Sequence, residues 1–144
     1  MSSKTWKKKE TQPERCGIAL YAEGQENQWY IDSGCSKHMT SNKEKLQSYS
    51  ALEKEKKASL GNDTRAFIKG KGSIRLKEKV KARNVMYVDG LKLNLLSVSQ
   101  MCDQGTEVIF QSNGCIVREL DTGKTVIRGI RTPNNLYVLK GKQQ

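Results

Sequence analysis

The sequence predicts an all-β barrel or sandwich with one short helix. From Cys16 onward, short apolar runs recur along the chain and are divided by Gly, Asn, Asp and Lys. Many short strands separated by turn residues are typical of this fold class. At 144 residues the chain is most simply one domain with one modest core. The predicted strands are, in order, CGIALYA, QWYI, AFIKG, SIRL, NVMYV, EVIF, CIVREL, TVIRGI and NLYVL.

Two segments depart from this strand pattern. The stretch SNKEKLQSYSALEKEKK, residues 41–57, is charged and poor in β-branched residues, which predicts a loop with a short helical turn. The stretch NLLSVSQMCDQG, residues 94–105, has apolar residues at near-helical spacing and stops at Gly105. It predicts the one helix, capped by that glycine and with its apolar stripe in the core.

The chain is strongly basic, with 26 Lys and Arg against 15 Asp and Glu and a formal charge of +11. This charge permits anionic partners such as nucleic acid without identifying one. Residues 1–15, MSSKTWKKKETQPER, are predicted to form a basic disordered arm, open to non-specific phosphate contact, although an expression-derived start is an alternative. No run approaches the roughly 18 apolar residues of a membrane span. A soluble intracellular protein without membrane contact is therefore expected.

The four cysteines are Cys16, Cys35, Cys102 and Cys115, and no two of them form a Cys-x-x-Cys pair. With His38 as the single histidine, a structural zinc site is not predicted. Scattered cysteines without a secretory signal favour reduced thiols, several of them buried, over disulfides.

The stretch WYIDSGCSKHMT, residues 29–40, is the first candidate for chemistry. Its aromatic and aliphatic start predicts a strand that ends at Asp32, and Gly34 permits backbone angles closed to other residues. Such a turn directs a carboxylate and nearby backbone donors at one point. The alternative is a simple Asx turn, in which the Asp side chain bonds the backbone two residues on.

Four segments taken in order carry a family resemblance. WYIDSGCSKHMT, ASLGNDTRAFIKGKGSIRL, ARNVMYVDGLKLNLLSVSQM and NNLYVLKG resemble the retropepsin-like aspartic protease segment of copia-type (Pseudoviridae) retrotransposon Gag-Pol polyproteins, over roughly residues 28–140. The resemblance implies a retropepsin-like acid-protease barrel with one short helix over residues 16–105. It also implies extra C-terminal strands over residues 106–144, as a β-rich extension toward integrase.

The resemblance makes Asp32 the catalytic aspartate and assigns Ser33 and Gly34 to the same turn. Peptide hydrolysis of this kind uses one carboxylate to take a proton from water and a second carboxyl to hydrogen-bond the substrate carbonyl. The two groups share one proton because adjacent like charges resist double ionisation. Ser33 would brace two such turns against one another. No metal or other cofactor is expected.

Further roles follow from the resemblance. A glycine-bearing turn between two strands would be the flap that closes over substrate, although an ordinary hairpin turn is the alternative; its residues are Leu60, Gly61, Asn62, Asp63, Thr64 and Arg65. The supporting loop would be Leu95, Leu96 and Ser97, with Ser97 where retropepsins carry glycine. Gly70 and Gly72 lack the phosphate-loop pattern and are interpreted as backbone accommodations in a sheet.

Two rival catalytic arrangements are disfavoured. A Cys35 and His38 dyad would lack an orienting Asn or Asp. The second Asp-hydroxyl-Gly triplet, Asp121 to Gly123, is followed by only 21 residues, too few for a second lobe, and Lys124 stands where a small residue is expected. That triplet predicts a hairpin turn.

The second carboxylate is therefore expected from another copy of the chain, in an isologous homodimer. The expected activity is that of an aspartic endopeptidase whose polypeptide substrate is its own polyprotein. The resemblance implies a cytoplasmic location within retrotransposon virus-like particles. The alternative function is an inactive structural or RNA-contacting β-domain of the polyprotein.

Overall fold

A computed structural model describes residues 28–59 and 65–139 of the chain. The basic arm and the CGIALYA strand predicted from the sequence lie outside these residues. Within the described ranges the protein consists mostly of β-strands with one short α-helix, as predicted. No helix in those ranges is long and apolar enough to cross a membrane.

The strands and the helix follow one another in a simple order. A single 3-10 turn, Lys43–Lys45, precedes the third strand. The elements are β1 (Trp29–Asp32), β2 (Met39–Thr40), β3 (Gln47–Ser59), β4 (Arg65–Lys77), β5 (Val80–Asp89), β6 (Asn94–Ser97), α1 (Val98–Asp103), β7 (Thr106–Gln111), β8 (Gly114–Glu119), β9 (Thr125–Arg131) and β10 (Tyr137–Leu139).

The described strands form one open sheet in the order β3-β4-β5-β2-β6-β1-β10-β9-β8-β7. Most neighbouring strands are antiparallel, as expected from the short turns between them. Two pairs are parallel: β1 with β6 and β2 with β5. The β1 and β6 pair lies near the middle of the sheet and brings chain segments more than 60 residues apart into register.

Strands β1 and β6 are buried along their whole length. Tyr30 and Leu95 belong to one apolar cluster, whereas Trp29, Ile31 and Leu96 belong to another. Successive side chains of a strand point to opposite faces, so both faces of the central pair are covered. The continuous apolar runs in these segments reflect this double burial, which holds the end of β1 rigidly in place.

The predicted helix over residues 94–105 is wrong in its first half. Leu95 and Leu96 lie in β6, and the helix begins only at Val98, with the Ser97 side chain accepting a hydrogen bond from the Gln100 amide at 3.2 Å. A short apolar run is compatible with either structure when it is buried on both faces, so its spacing could not separate them. The helix ends as predicted, before a left-handed Gly105 with φ of +92°.

The prediction of a loop with a short helical turn at residues 41–57 is correct for the turn, which is found at Lys43–Lys45, but wrong for the rest, because most of this segment forms the 13-residue strand β3. This strand lies at the edge of the described sheet, and most of its side chains are exposed. Charged residues, lysine above all, protect edge strands from pairing with other chains. The charge that argued against a strand is therefore explained by its edge position.

Gly70 lies in the sheet, as predicted, and the neighbour that its missing side chain accommodates is a tyrosine ring. A Cβ atom built there would lie 2.2 Å from the Tyr49 hydroxyl oxygen and 2.6 Å from its ring carbon Cε1. The Tyr49 hydroxyl donates to the Lys69 carbonyl at 3.3 Å, and its ring packs edge-on against Tyr87 at 6.1 Å. The ring therefore fills the space that the missing side chain leaves.

Gly70→Ala should lower the free energy of unfolding by about 1–3 kcal/mol, the usual cost of overpacking. The strain should be relieved in the Gly70→Ala, Tyr49→Ala double variant, since the clash is with the tyrosine ring. Urea unfolding of both single variants and the double variant measures this coupling. Additive losses would show that the ring does not occupy the space above Gly70.

The C-terminal strands continue the same sheet. Strand β10 pairs antiparallel with β1, matching Tyr137 with Ile31, and β9, β8 and β7 follow in turn. The segment after the helix thus reaches the edge of β1 next to Asp32.

Candidate active site at the Asp-Ser-Gly turn

Asp32 is the last residue of β1 and is only 8% exposed. Its Oδ1 accepts a hydrogen bond from the Gly34 amide at 2.8 Å, and its backbone carbonyl accepts one from the Cys35 amide at 3.3 Å. This is the Asx-turn geometry that the sequence left as an alternative to catalysis. The same bond fixes the direction of the carboxylate, so it is compatible with both interpretations.

Ser33 and Gly34 are exposed at the tip of the turn. Gly34 is expected to permit backbone angles closed to other residues, but it does not use them, because its φ is not among the positive values found in the described residues. A Cβ atom at Gly34 would meet Asp32 Oδ1 at 3.4 Å, an ordinary contact. Within one chain, then, no conformational requirement explains this glycine.

A cavity of about 310 Å³ adjoins the turn and is lined on one side by Ile31, Asp32 and Ser33. The C-terminal strands and their connecting loop supply the other wall, through Phe110, Asn135, Leu136 and Tyr137. The rings of Phe110 and Tyr137 meet edge to face at 4.9 Å, and the Tyr137 hydroxyl donates to the Gln111 carbonyl at 3.1 Å. A candidate catalytic carboxylate therefore borders a cavity with a partly apolar wall.

Ser97 lies opposite Asp32 in the parallel β1 and β6 pair. Its backbone is extended, with φ of −86° and ψ of 123°, so this position does not need a glycine. Its side chain caps helix α1 and lies 3.0 Å from the Ser99 hydroxyl. The predicted supporting residues Leu95, Leu96 and Ser97 are brought beside the turn, and the serine has its own structural role.

His38 is fully buried and joins several elements around the turn. Its Nδ1 accepts a hydrogen bond from the Ser97 amide at 2.9 Å, which places the proton of the neutral ring on Nε2. Its backbone amide donates to the Gln100 side chain, and its carbonyl accepts from the Met86 amide at 2.8 Å. Within the described ranges Nε2 has no hydrogen-bond partner. Burial lowers the pKa of His38 from 6.5 to about 4.

A second buried polar contact was not predicted from the sequence. The Thr40 hydroxyl donates to Asn94 Oδ1 at 2.7 Å, and Asn94 Nδ2 donates to the Gln28 carbonyl at 3.2 Å. These bonds connect β2 and β6 with the residue before β1. The sequence signal that could have revealed them is a polar residue next to apolar ones, as with Asn94 in KLNLLS and Thr40 after Met39.

The cysteine next to the turn does not form a catalytic dyad. Cys35 is buried, its Sγ lies 3.0 Å from the Lys37 carbonyl, and it is disulfide-bonded. The preference for reduced thiols is therefore wrong at Cys35, because that argument concerned the cellular compartment and carried no information on geometry. Cys102 and Cys115 are free thiols, and burial raises the pKa of Cys115.

Of the predicted flap residues, the structure describes Arg65 alone. Residues 60–64, hence Leu60, Gly61, Asn62, Asp63 and Thr64, lie outside the described residues, and Arg65 is the first residue of β4. Strands β3 and β4 pair antiparallel up to Ser59 and Arg65. A long hairpin therefore leads to the predicted flap residues from both sides.

Asp121 lies in the exposed turn between β8 and β9. Gly123 has φ of +72°, and its amide donates to the Glu119 carbonyl at 2.9 Å. The Thr122 hydroxyl donates to the Glu119 carboxylate at 2.9 Å. The second triplet is thus a hairpin turn, as its sequence context predicts.

In the described part of the chain, the fold is a β-sheet domain with one short helix and a candidate carboxylate at the end of a central strand. Residues 29–106, which are 78 of the 144 residues, match the family described as "Pol polyprotein, beta-barrel domain". The chain belongs to this family and is a region of a retrotransposon Pol polyprotein. The match begins at β1 and includes the first residue of β7.

Two curated relatives come from Arabidopsis thaliana. The chain is 28% identical over 127 residues to "Retrovirus-related Pol polyprotein from transposon RE1" and 26% identical over 127 residues to the corresponding polyprotein from transposon RE2. Each alignment covers 85% of this chain but only 9% of the relative, so the chain spans a small part of either polyprotein. No solved structure matches the chain significantly.

Proposed function

We propose that this segment is an aspartic endopeptidase that processes its own retrotransposon polyprotein as a homodimer. The observation that carries the proposal is the position of Asp32. Its carboxylate ends a strand buried on both faces, is oriented by the Gly34 amide at 2.8 Å and borders a cavity of about 310 Å³. A rigidly held carboxylate at a cavity is the arrangement that general acid–base catalysis requires.

In this proposal the Asp32 carboxylates of two chains face one another across a two-fold axis. One takes a proton from the attacking water while the other, protonated, hydrogen-bonds the substrate carbonyl oxygen. The exposed Ser33 hydroxyls brace the two turns, and the small Gly34 lets the second chain approach. The fold supports retropepsin-like geometry because the Asp-Ser-Gly turn lies beside a parallel strand that leads directly into the helix.

The long β3 and β4 hairpin supports the proposed flap. A hairpin that closes over bound polypeptide excludes water and fixes the scissile bond. Residues 60–65 would contact the substrate backbone in this closed state. No metal takes part in the proposed reaction, since the carboxyl pair supplies both the base and the acid.

The dimer requirement predicts that specific activity rises with protein concentration. Each chain supplies one catalytic carboxylate, so dilution below the dimer dissociation constant should abolish cleavage while the monomer stays folded. The measurement is the cleavage rate of a polyprotein-derived peptide at mildly acidic pH over a thousandfold dilution, with sedimentation of the same samples. A specific activity that stays constant while sedimentation shows dissociation would contradict the proposal.

The alternative is a structural or RNA-contacting β-domain without activity. It is favoured by the +11 charge and by the Asx-turn bond, which gives Asp32 a purely structural role. Salt-dependent RNA binding that is lost on deleting residues 1–15, in a protein that cuts no polyprotein peptide as a demonstrated dimer, would support this alternative.

A further inference from the structure

A second cavity, of about 350 Å³, is bordered by four lysines. Its apolar surface comes from Leu52, Ile68 and Met86, of which Ile68 is buried and the other two are half-buried. No acidic residue of the described ranges lines it. The lysines are Lys37, Lys56, Lys57 and Lys71.

The four lysines form no ion pair with an acidic group of the described residues. Of the described acidic groups in this region, Glu55 and Asp89 both pair with Lys69, at 3.5 and 3.4 Å. Like charges gathered around one concave site raise the local potential and attract an anion.

The position of the cavity relates it to the proposed substrate path. Lys37 lies five residues after Asp32, in the segment that follows the turn, whereas Lys56 and Lys71 lie on the β3 and β4 hairpin. The cavity is lined by the segment after the turn and by the hairpin, the two elements between which the proposed function places the substrate, so a side chain of that substrate would lie within reach of it. The apolar part would contact the methylene groups of that side chain, and the ammonium groups its carboxylate.

We propose that this cavity is a specificity site for a glutamate or aspartate side chain near the scissile bond. The inference rests on the proposed function for its substrate and adds the chemical class of one substrate residue. An acidic peptide fits better than RNA, because the cavity is concave with an apolar floor and has no aromatic ring in its lining on which a base could stack.

Binding to the Asp32→Asn protein tests this inference without turnover. Two fluorescent polyprotein-derived peptides that differ only by Glu or Gln at the position near the scissile bond are titrated at low salt. The Glu peptide should bind about threefold to tenfold more tightly, since exposed ion pairs are individually weak and screened by salt. Equal affinity of the two peptides would overturn the proposal.

Reversing the charge of two cavity lysines tests whether the preference for the Glu peptide comes from this cavity. Lys56→Glu with Lys71→Glu should abolish the preference for the Glu peptide and favour a Lys peptide instead. The matched control is Lys124→Glu with Arg128→Glu, the same charge change at exposed positions outside the cavity, and it should keep the preference. Lys56→Gln with Lys71→Gln repeats the test if the reversed pair does not fold. Loss of the preference in the control as well would overturn the proposal.

Two comparisons distinguish this inference from the proposed function. If the wild type cuts the Glu and Gln peptides with equal kcat/KM, the protease proposal stands and the specificity site fails. If it cuts neither, while Asp32→Asn binds the Glu peptide through these lysines, the cavity binds acidic peptides but has no role in cleavage specificity, and the protease proposal fails. Lysine-dependent binding of single-stranded RNA without a peptide preference would overturn the acidic-peptide assignment.

Discussion

Asp32→Asn is expected to lower the cleavage rate of a polyprotein-derived peptide by about 10²- to 10⁴-fold, the range that proton transfer by a positioned group contributes. The asparagine has the same shape and can still accept the Gly34 amide bond, but it cannot take a proton from water. The fold and the dimer should therefore be retained, with an unfolding temperature close to that of the wild type. Steady-state cleavage at mildly acidic pH, with sedimentation of both proteins, measures the effect.

Asp121→Asn is the matched control. It makes the same chemical change in the second Asp-Thr-Gly triplet, whose carboxylate lies in an exposed hairpin turn. Its cleavage rate should equal that of the wild type. Equal cleavage by wild type and Asp32→Asn, or an equal loss in both variants, would contradict the assignment of Asp32.

The second large predicted effect is a loss of folding stability at acidic pH that is caused by His38. Its pKa is about 4 in the folded protein and 6.5 when exposed, so the unfolded chain binds more protons between these values. The stability that His38 contributes is present above pH 6.5 and is lost as pH falls toward 4. A shift of this size corresponds to about 3 kcal/mol. Urea unfolding between pH 7 and pH 4.5 should show this loss.

The His38→Gln variant tests whether His38 causes this loss of stability at acidic pH. Glutamine does not titrate and can accept the Ser97 amide bond, so its unfolding free energy should be lower at pH 7 but depend less on pH. Parallel pH profiles for the two proteins would show that another group is responsible. Since the proposed chemistry favours mildly acidic pH, His38 also predicts an acid limit to activity that is set by unfolding.

The sequence predicted the parts of the fold that depend on local pattern. The structure contains the predicted predominance of β-strands, the strand that ends at Asp32 and the hairpin turn at Asp121. The helix stop at Gly105 is found as well, because a left-handed glycine is a local requirement. Each of these features depends on neighbouring residues alone.

The errors arose where distant segments decide the structure. Leu95 and Leu96 form a strand because β1, more than 60 residues earlier, pairs beside them. Residues 47–59 form a strand because they pair with β4, in spite of their charge. The bond from Ser97 to His38 also joins separate elements, so no sequence spacing could predict it.

The central claim is that two copies of Asp32 make one active site, and subunit mixing tests it most directly. Wild type and Asp32→Asn are mixed in varying ratios at fixed total concentration, allowed to exchange subunits, and assayed for cleavage. In an isologous dimer only wild-type pairs carry two carboxylates, so an equal mixture should retain about a quarter of the wild-type rate. A rate of about half, falling linearly with the wild-type fraction, would show that each chain acts alone and would contradict this account.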